Sequence, residues 1–217
     1  MKHLGKSLVV FILIFASQLS TAQYATDEWA ERDTWMDVSK IFDDAGIEEG
    51  SVVADIGCHE GYLSIHLANR VGHTGQVYAV DVRADRLNVL KENLKERNIK
   101  NVEVILGFYD NPRLPAKTLD VVIIMDTYHE MDDYMKILDH VHKSLKPGGL
   151  IVILEKLKTR IKGKSREDQT DAHSIGMEYV RTELIEAGFE EVYHTKDLGN
   201  WENDEDKVIW MLIAEKE

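Results

Sequence analysis

The apolar residues of this chain follow two alternating periods. Between residues 51 and 106, short apolar segments typical of strands alternate with segments whose apolar residues recur at helical spacing. Such alternation is typical of parallel strands joined by helices. The pattern predicts strands at 51–56, 76–81 and 102–106 and helices at 62–71 and 85–97. We therefore predict a doubly wound α/β fold with a mostly parallel sheet.

The second half of the chain continues this pattern and then changes it. Residues 119–125 are almost wholly apolar, as expected of a central strand covered on both faces. A helix is predicted from Tyr134, ending at the Lys-Pro-Gly-Gly segment 146–149, where proline cannot continue a helix. Further predicted elements are a strand at 150–154, a helix at 177–187, and strands at 189–196 and 207–214. A polar loop separates the last two strands, so they could form an antiparallel pair.

The segment 156–166 has six basic residues and little periodicity. Charged segments of this kind are usually solvated, so we predict a long exposed loop. The alternative is a segment that closes over an anionic small molecule.

The N-terminus has the pattern of a secretory signal. Lys2 and Lys6 flank the start of an apolar run at 8–16, and small and polar residues follow up to Ala22. The run has about nine residues, whereas a spanning helix needs about twenty, so a membrane anchor is the lesser alternative. We predict a signal peptide at 1–22, cleaved before Gln23, and an extracytoplasmic (periplasmic or secreted) mature chain without a membrane span.

The mature chain is predicted to form a single domain at 23–217. A hydrophobic content of 44% over 217 residues is enough to bury one substantial core. Apolar residues recur at helical spacing from Trp35 to Ala45, which predicts a leading helix at 27–45 that stops at Gly46. The formal net charge of −13 argues against a nucleic-acid partner. The single cysteine, Cys58, excludes an intramolecular disulfide and a cysteine-based zinc site.

Candidate chemistry begins at the end of the first predicted strand. Asp55 and Gly57 lead into a turn that reaches Gly61, where a helix starts. Glycines allow close backbone approach, and a helix N-terminus offers N–H groups to an anion. Asp55 could accept from an ammonium group. A purely structural turn is the alternative, and the G-x-G-x-x-G pattern of dinucleotide sites is absent, which argues against an oxidoreductase.

A second cue is Asp81, which ends the second predicted strand. A carboxylate at that place can accept hydrogen bonds from both hydroxyls of a ribose. The alternative is a solvated or helix-capping aspartate. Both cues together favour a nucleoside ligand.

With these residues the chain resembles the class I S-adenosylmethionine-dependent methyltransferases. Their motif, D/E-x-G-x-G-x-G, is matched by Asp55, Gly57 and Gly61. The chain is most similar to exported methyltransferase-domain proteins, judged by its segments at 113–115, 126–130, 145–149 and 173–183. The resemblance implies a three-layer αβα fold with a seven-stranded sheet of order 3-2-1-4-5-7-6, the seventh strand antiparallel.

The resemblance also implies a cofactor, S-adenosylmethionine. Its methionine end is expected near Asp55, Gly57, Cys58 and Gly61, its ribose at Asp81, and further contacts at Asp110 and Asp126. Phe108 or Tyr109 could stack on the adenine. His59 stands where the family usually has its middle glycine, so its imidazole either crowds the cofactor or donates to the methionine carboxylate. Cys58 is most simply a small residue in a tight turn.

Candidate catalytic residues follow the fourth predicted strand. His129 is the first candidate base, with Glu130 as the group that orients it, and His173 is the second candidate. Structural roles are the alternative for each. Carboxylates at 126–133 invite a metal hypothesis, but consecutive positions at a helix start point in different directions, so we predict no metal site.

We therefore expect a methyltransferase that acts on a small-molecule acceptor. A base is needed only when that acceptor is a weak, protonated nucleophile. Two alternatives stay open: a non-catalytic module that binds an adenosyl ligand or a partner, favoured by the departure at His59, and a nucleotide-dependent oxidoreductase.

Overall fold

A computed structural model describes residues 26–196 and 198–216, so the predicted signal peptide lies outside the described residues. Seven strands form one sheet with the order β3-β2-β1-β4-β5-β7-β6. They are β1 Val52–Ile56, β2 Gln76–Asp81, β3 Val102–Leu106, β4 Leu119–Met125, β5 Leu145–Lys158, β6 Phe189–Thr195 and β7 Lys207–Lys216. Neighbouring strands are parallel from β3 through β2, β1 and β4 to β5. Strand β7 is antiparallel to both of its neighbours, β5 and β6. The predicted fold class and strand order are confirmed.

Helices cover both faces of the sheet. They are α1 Trp29–Arg32, α2 Val38–Asp44, α3 Tyr62–Val71, α4 Ala84–Glu96, α5 Tyr134–Ser144, α6 Arg166–Asp171 and α7 Met177–Glu186. Side chains of α2, α3 and α4 pack with alternate residues of β1 and β2 on one face, and α5 and α7 pack on the other. Among the described residues, no helix has the length and apolar character needed to cross a membrane.

The predicted leading helix at 27–45 is wrong, because the structure breaks it into three pieces. A 3-10 turn at Thr26–Glu28 runs into α1, and α2 starts only at Val38. Asp37 has a non-helical backbone, and its side chain accepts a hydrogen bond from the Lys40 amide at 3.0 Å, capping α2. The break lets Arg32 and Met36 both turn inward, and each side chain is buried.

The predicted exposed loop at 156–166 is wrong for residues 156–158, whereas most residues from 159 to 165 are exposed as predicted. Strand β5 continues to Lys158, where it pairs with Lys207 of β7. Lys156 is buried against Trp201 and forms an ion pair with Asp126. A 3-10 turn at Thr159–Ile161 and helix α6 follow. Strand pairing with β7 therefore overrides the preference for solvent only in the first three residues of this basic segment.

Strand β5 also begins earlier than predicted. Helix α5 ends at Ser144, and β5 starts at Leu145, which lies opposite Leu119 of β4. The Lys-Pro-Gly-Gly segment therefore lies within the bounds of β5, where the pairing with β4 shifts register.

Candidate functional site

A cavity of about 510 Å³ opens at the carboxyl ends of β1, β2 and β4. Chain order reverses there, since β2 lies on one side of β1 and β4 on the other. Open α/β sheets bind ligands at this switch point. The volume lies within the range of cofactor sites. Its wall includes Asp55, Asp81 and Asp126 at the ends of the three strands.

The turn after β1 requires glycine at two positions. Gly57 and Gly61 have φ of 83° and 98°, in the left-handed region that glycine tolerates best. A Cβ on Gly57 would overlap the side chain of Thr127, and one on Gly61 would overlap Leu90. Gly57 lines the cavity, whereas Gly61 starts α3 behind the wall. The turn thus brings backbone close to the cavity at Gly57.

His59 adopts a left-handed conformation with φ of 49°, which glycine would adopt without strain. Its amide donates a hydrogen bond of 2.9 Å to Asp81, and its side chain lines the cavity beside Arg86. Partial burial, followed by the charge of Arg86, lowers the pKa of His59. The imidazole is therefore mostly neutral at pH 7.

The two oxygens of Asp81 each accept one backbone hydrogen bond. The amides of His59 and Arg83 donate to them at 2.9 and 2.8 Å. A carboxylate has about four lone-pair sites, so each oxygen can accept one more hydrogen bond from a ligand in the cavity. The backbone thus fixes this carboxylate in place for a diol such as ribose.

Asp55 is buried at the end of β1. Ser64 donates a hydrogen bond of 2.6 Å to its carboxylate. Burial raises the pKa of Asp55 to about 6, although this hydrogen bond and the nearby charge of Arg32 oppose the rise. Arg32 lines the cavity and stacks its guanidinium on Tyr62 and Trp201, at 4.4 and 4.7 Å from the ring centroids.

The far end of the cavity contains a buried ion pair and a buried contact between an imidazole and a carboxylate. Asp126 pairs with Lys156, and the ring Nδ1 of His129 lies 3.0 Å from both oxygens of Glu155. The backbone amide of His129 also donates to Glu155 at 3.1 Å. Burial lowers the pKa of His129, but the charge and hydrogen bond of Glu155 outweigh it, so the net shift is upward.

The carboxylate that orients His129 is therefore Glu155, not the predicted Glu130. Glu130 lies on the other side of the ring, with an oxygen 3.9 Å from Nε2. His173, from the loop between α6 and α7, is 3.9 Å from the same Glu130 oxygen through its Nδ1. All three predicted catalytic residues meet on the cavity wall.

The other predicted cofactor contacts differ in whether they line the cavity. Asp110 is exposed beside Lys136 and does not line the cavity, so the structure gives no support to its predicted contact with adenine. Phe108 and Tyr109, which do line the cavity, are 58% and 78% exposed, and their rings are available for stacking. Cys58 is buried in the turn, and burial raises the pKa of its thiol, which argues against a reactive thiolate.

Sequence reasoning missed Arg32, Glu155 and Lys156. Arg32 lies in the predicted leading helix, Glu155 directly after the predicted strand at 150–154, and Lys156 at the start of the predicted loop. The available signal is the apolar Leu157, which follows the two charged residues and indicates that the strand continues past residue 154.

The comparisons with known proteins agree with this geometry. The family described as a methyltransferase domain matches residues 47–212. A demethylmenaquinone methyltransferase of Geobacillus sp. (strain WCH70) is 35% identical over 109 residues, which are 50% of this chain and 47% of that protein. The alignment with this curated relative thus spans about half of its length.

Solved structures match over more of the chain. A SAM-dependent methyltransferase from Aquifex aeolicus superposes with a TM-score of 0.71 and 25% identity, covering 87% of this chain and 97% of the other. The cyclase SpnF superposes with a TM-score of 0.70, covering 82% of this chain and 80% of the other, but at 15% identity this likeness shows the fold alone. With the family match, the strand order and the glycine turn, the chain belongs to the class I S-adenosylmethionine-dependent methyltransferase family.

Proposed function

We propose that this protein transfers a methyl group from S-adenosylmethionine to a small-molecule acceptor. The observation that carries the proposal is the Asp81 carboxylate, held by two backbone amides at the wall of the cavity beside the glycine turn. The ribose hydroxyls would donate to Asp81. The ammonium group of the methionine part would lie near Asp55, and the adenine would stack on Phe108 or Tyr109.

The arrangement of charges supports this orientation of the cofactor. The guanidinium of Arg32 lies near Asp55 on the cavity wall, so a zwitterionic amino acid would find a cation and an anion side by side. The sulfonium would then face the far end of the cavity, where His129 and Glu130 lie. The acceptor binds there, aligned with the methyl group and shielded from water.

Methyl transfer itself is an in-line displacement. A lone pair of the acceptor forms the new bond to carbon, and the electron pair of the broken carbon–sulfur bond stays on sulfur as S-adenosylhomocysteine is formed. An acceptor with an O–H or N–H group must also lose a proton. The side chains of His129, Glu130 and His173 lie at the end of the cavity where the acceptor would release this proton. The Geobacillus relative is a demethylmenaquinone methyltransferase, which supports a small molecule as acceptor.

A non-catalytic module is the second candidate. The resemblance to a cyclase illustrates that one fold supports different chemistries. Calorimetric titration of the purified protein with S-adenosylmethionine, S-adenosylhomocysteine and NAD tests the cofactor first. We expect binding heat from both adenosyl ligands and none from NAD. Absence of binding heat from both adenosyl ligands would disprove the proposal. Turnover on a panel of acceptors then separates an enzyme from a binding module.

His59 can be tested by a single change. Because its backbone is already left-handed, His59→Gly should relieve strain of about 1 kcal/mol, and the amide that binds Asp81 stays in place. We expect the variant to bind S-adenosylhomocysteine within about threefold of the parent, a difference of less than 1 kcal/mol. A loss much larger than this in calorimetry would show that the imidazole itself holds the cofactor. His73→Gln, at an exposed histidine outside the cavity, is the control.

The compartment is a separate part of the proposal. The sequence pattern at 1–22 supports export, so the mature chain is expected to begin at Gln23. N-terminal sequencing of protein recovered from the producing cells tests this, and an intact Met1 in cytosolic protein would contradict it.

A further inference from the structure

We propose that His129, Glu130 and His173 together bind a first-row divalent cation such as Zn²⁺ at the far end of the cavity. One imidazole nitrogen or carboxylate oxygen from each residue lies within 4.8 Å of the others. The Glu130 oxygen is 3.9 Å from His129 Nε2 and 3.9 Å from His173 Nδ1. In a tetrahedral site with metal–ligand distances near 2.1 Å, donor atoms lie roughly 3.4 Å apart. Both distances from the Glu130 oxygen thus exceed this separation by about 0.5 Å, and the two imidazole nitrogens need to approach by at most about 1.4 Å.

The side chains are arranged so that this approach is easy. His129 is fixed and buried, whereas Glu130 and His173 are 61% and 73% exposed. Exposed side chains can rotate toward a cation without disturbing the core. The two residues also come from different segments, the turn after β4 and the loop before α7, so binding would join these loops.

The surroundings of His129 are those of a metal ligand. Its Nδ1 faces both oxygens of the fully buried Glu155, which favours the tautomer with the proton on Nδ1 and leaves the lone pair on Nε2 for a cation. Metal-binding histidines usually donate their second nitrogen to a carboxylate in this way, which fixes the ring and increases its basicity. Glu155 therefore positions the ligand without itself touching the metal.

The balance of charge favours a cation as well. The buried Asp126 is neutralised by Lys156, but Glu130 and Glu155 contribute two negative charges around His129. The other basic residues that line the cavity are Arg32, Lys158, and three that have acidic partners: Arg83 with Asp85, Arg86 with Glu60 and Lys207 with Glu202. Two carboxylates near two imidazoles would match the charge of one divalent ion.

A second set of donors, Asp126, His129 and Glu155, is less suitable. All three are buried, Asp126 is bound to Lys156, and Glu155 is bound to His129.

Two imidazoles and one carboxylate suit zinc and its neighbours better than Mg²⁺ or Ca²⁺, which prefer oxygen ligands. Three protein ligands leave one position open toward the cavity, as in catalytic zinc sites.

The role of the ion in turnover rests on the proposed function. An acceptor hydroxyl would lose its proton to solvent as it binds at the open position, before water is excluded, and its oxygen would then attack the methyl carbon. In that case His129 acts as a ligand and not as a base.

The test is calorimetric titration of chelator-treated, purified protein with Zn²⁺, with Co²⁺ absorption as a report of coordination geometry. We expect one site in the parent protein and a tetrahedral cobalt spectrum. Glu130→Gln and His173→Gln should each weaken Zn²⁺ binding about tenfold or more. His73→Gln and His194→Gln are matched controls, because each histidine also faces a glutamate but lies outside the cavity.

Three outcomes decide the proposal. Absence of zinc binding overturns it, and so does equal binding by the parent and both cavity variants. Loss of binding in the control variants to the same degree would also overturn it, since the ion would then bind surface histidines. S-adenosylhomocysteine binding is measured in parallel and should persist in both cavity variants. Zinc binding without binding of S-adenosylhomocysteine would contradict the proposed function and leave the metal site standing.

Discussion

Replacing Asp81 with alanine is expected to weaken the binding of S-adenosylmethionine and S-adenosylhomocysteine by about 100-fold, or about 2.7 kcal/mol. A hydrogen bond to a charged group contributes about 1.5–3 kcal/mol, and a ribose would make two such bonds to this carboxylate. The change also removes the acceptor of the His59 and Arg83 amides, so the glycine turn loses its anchor. Both losses act in the same direction.

Calorimetry on Asp81→Ala and two further variants separates these effects. Asp81→Asn keeps one carbonyl oxygen and should lie between the parent and the alanine variant. Asp85→Ala is the matched control, since Asp85 is exposed on the first turn of α4, pairs with Arg83 and lies outside the cavity. Unchanged affinity of Asp81→Ala for both ligands would show that the ribose does not bind there.

Replacing Asp55 with asparagine should have opposite effects on stability and on cofactor binding. The pKa of this buried carboxyl is about 6, above its value in the unfolded chain. Ionised Asp55 therefore destabilises the folded state above pH 6, and the penalty fades as the pH falls toward the unfolded pKa, where both states hold the proton. Each pKa unit is about 1.4 kcal/mol, so the variant should gain up to about 3 kcal/mol at neutral pH.

Chemical denaturation of the ligand-free protein at several pH values measures this gain. It should grow between about pH 4 and pH 6 and then stay constant. Asp171→Asn, at an exposed carboxylate at the end of α6, is the control, and its effect should not vary in this way. A variant less stable than the parent at pH 7 would contradict the prediction.

The same variant should bind S-adenosylmethionine about tenfold more weakly or worse, because the ammonium group loses an ionic partner. The hydrogen bond from Ser64 can persist to the asparagine carbonyl, so the turn should keep its shape. Stability and affinity that rise together would show that Asp55 does not serve the cofactor.

The strands and helices of the first half could be predicted because each has its own local period. The strand order could not be predicted from those periods and was instead implied by the resemblance to a family. The leading helix could not be predicted, because its break depends on Arg32, which is buried against Tyr62 and Trp201. Those partners are distant in the sequence.

The cofactor end of the site could be predicted from local sequence features, whereas the pairing of His129 with Glu155 could not. Asp55, Gly57 and Asp81 follow strand ends, and parallel strands bring such ends to one edge of the sheet. The pair of His129 and Glu155 depends on register: because Met125 lies opposite Leu154, the turn that follows β4 lies beside the last residues of β5. Register is set by pairing across the sheet and not by the local period of either strand.

The two buried side-chain pairs, Asp126 with Lys156 and His129 with Glu155, should constrain which substitutions these four positions accept. Loss of Lys156 alone would remove the ammonium partner of the buried Asp126, and loss of Glu155 would remove the carboxylate that His129 Nδ1 faces. Single substitutions at these positions should therefore destabilise the protein and be rare among relatives, whereas joint replacement of a pair by uncharged residues should be tolerated. In an alignment of relatives, positions 126 and 156 should covary, and so should 129 and 155, even though each pair is separated by more than twenty residues.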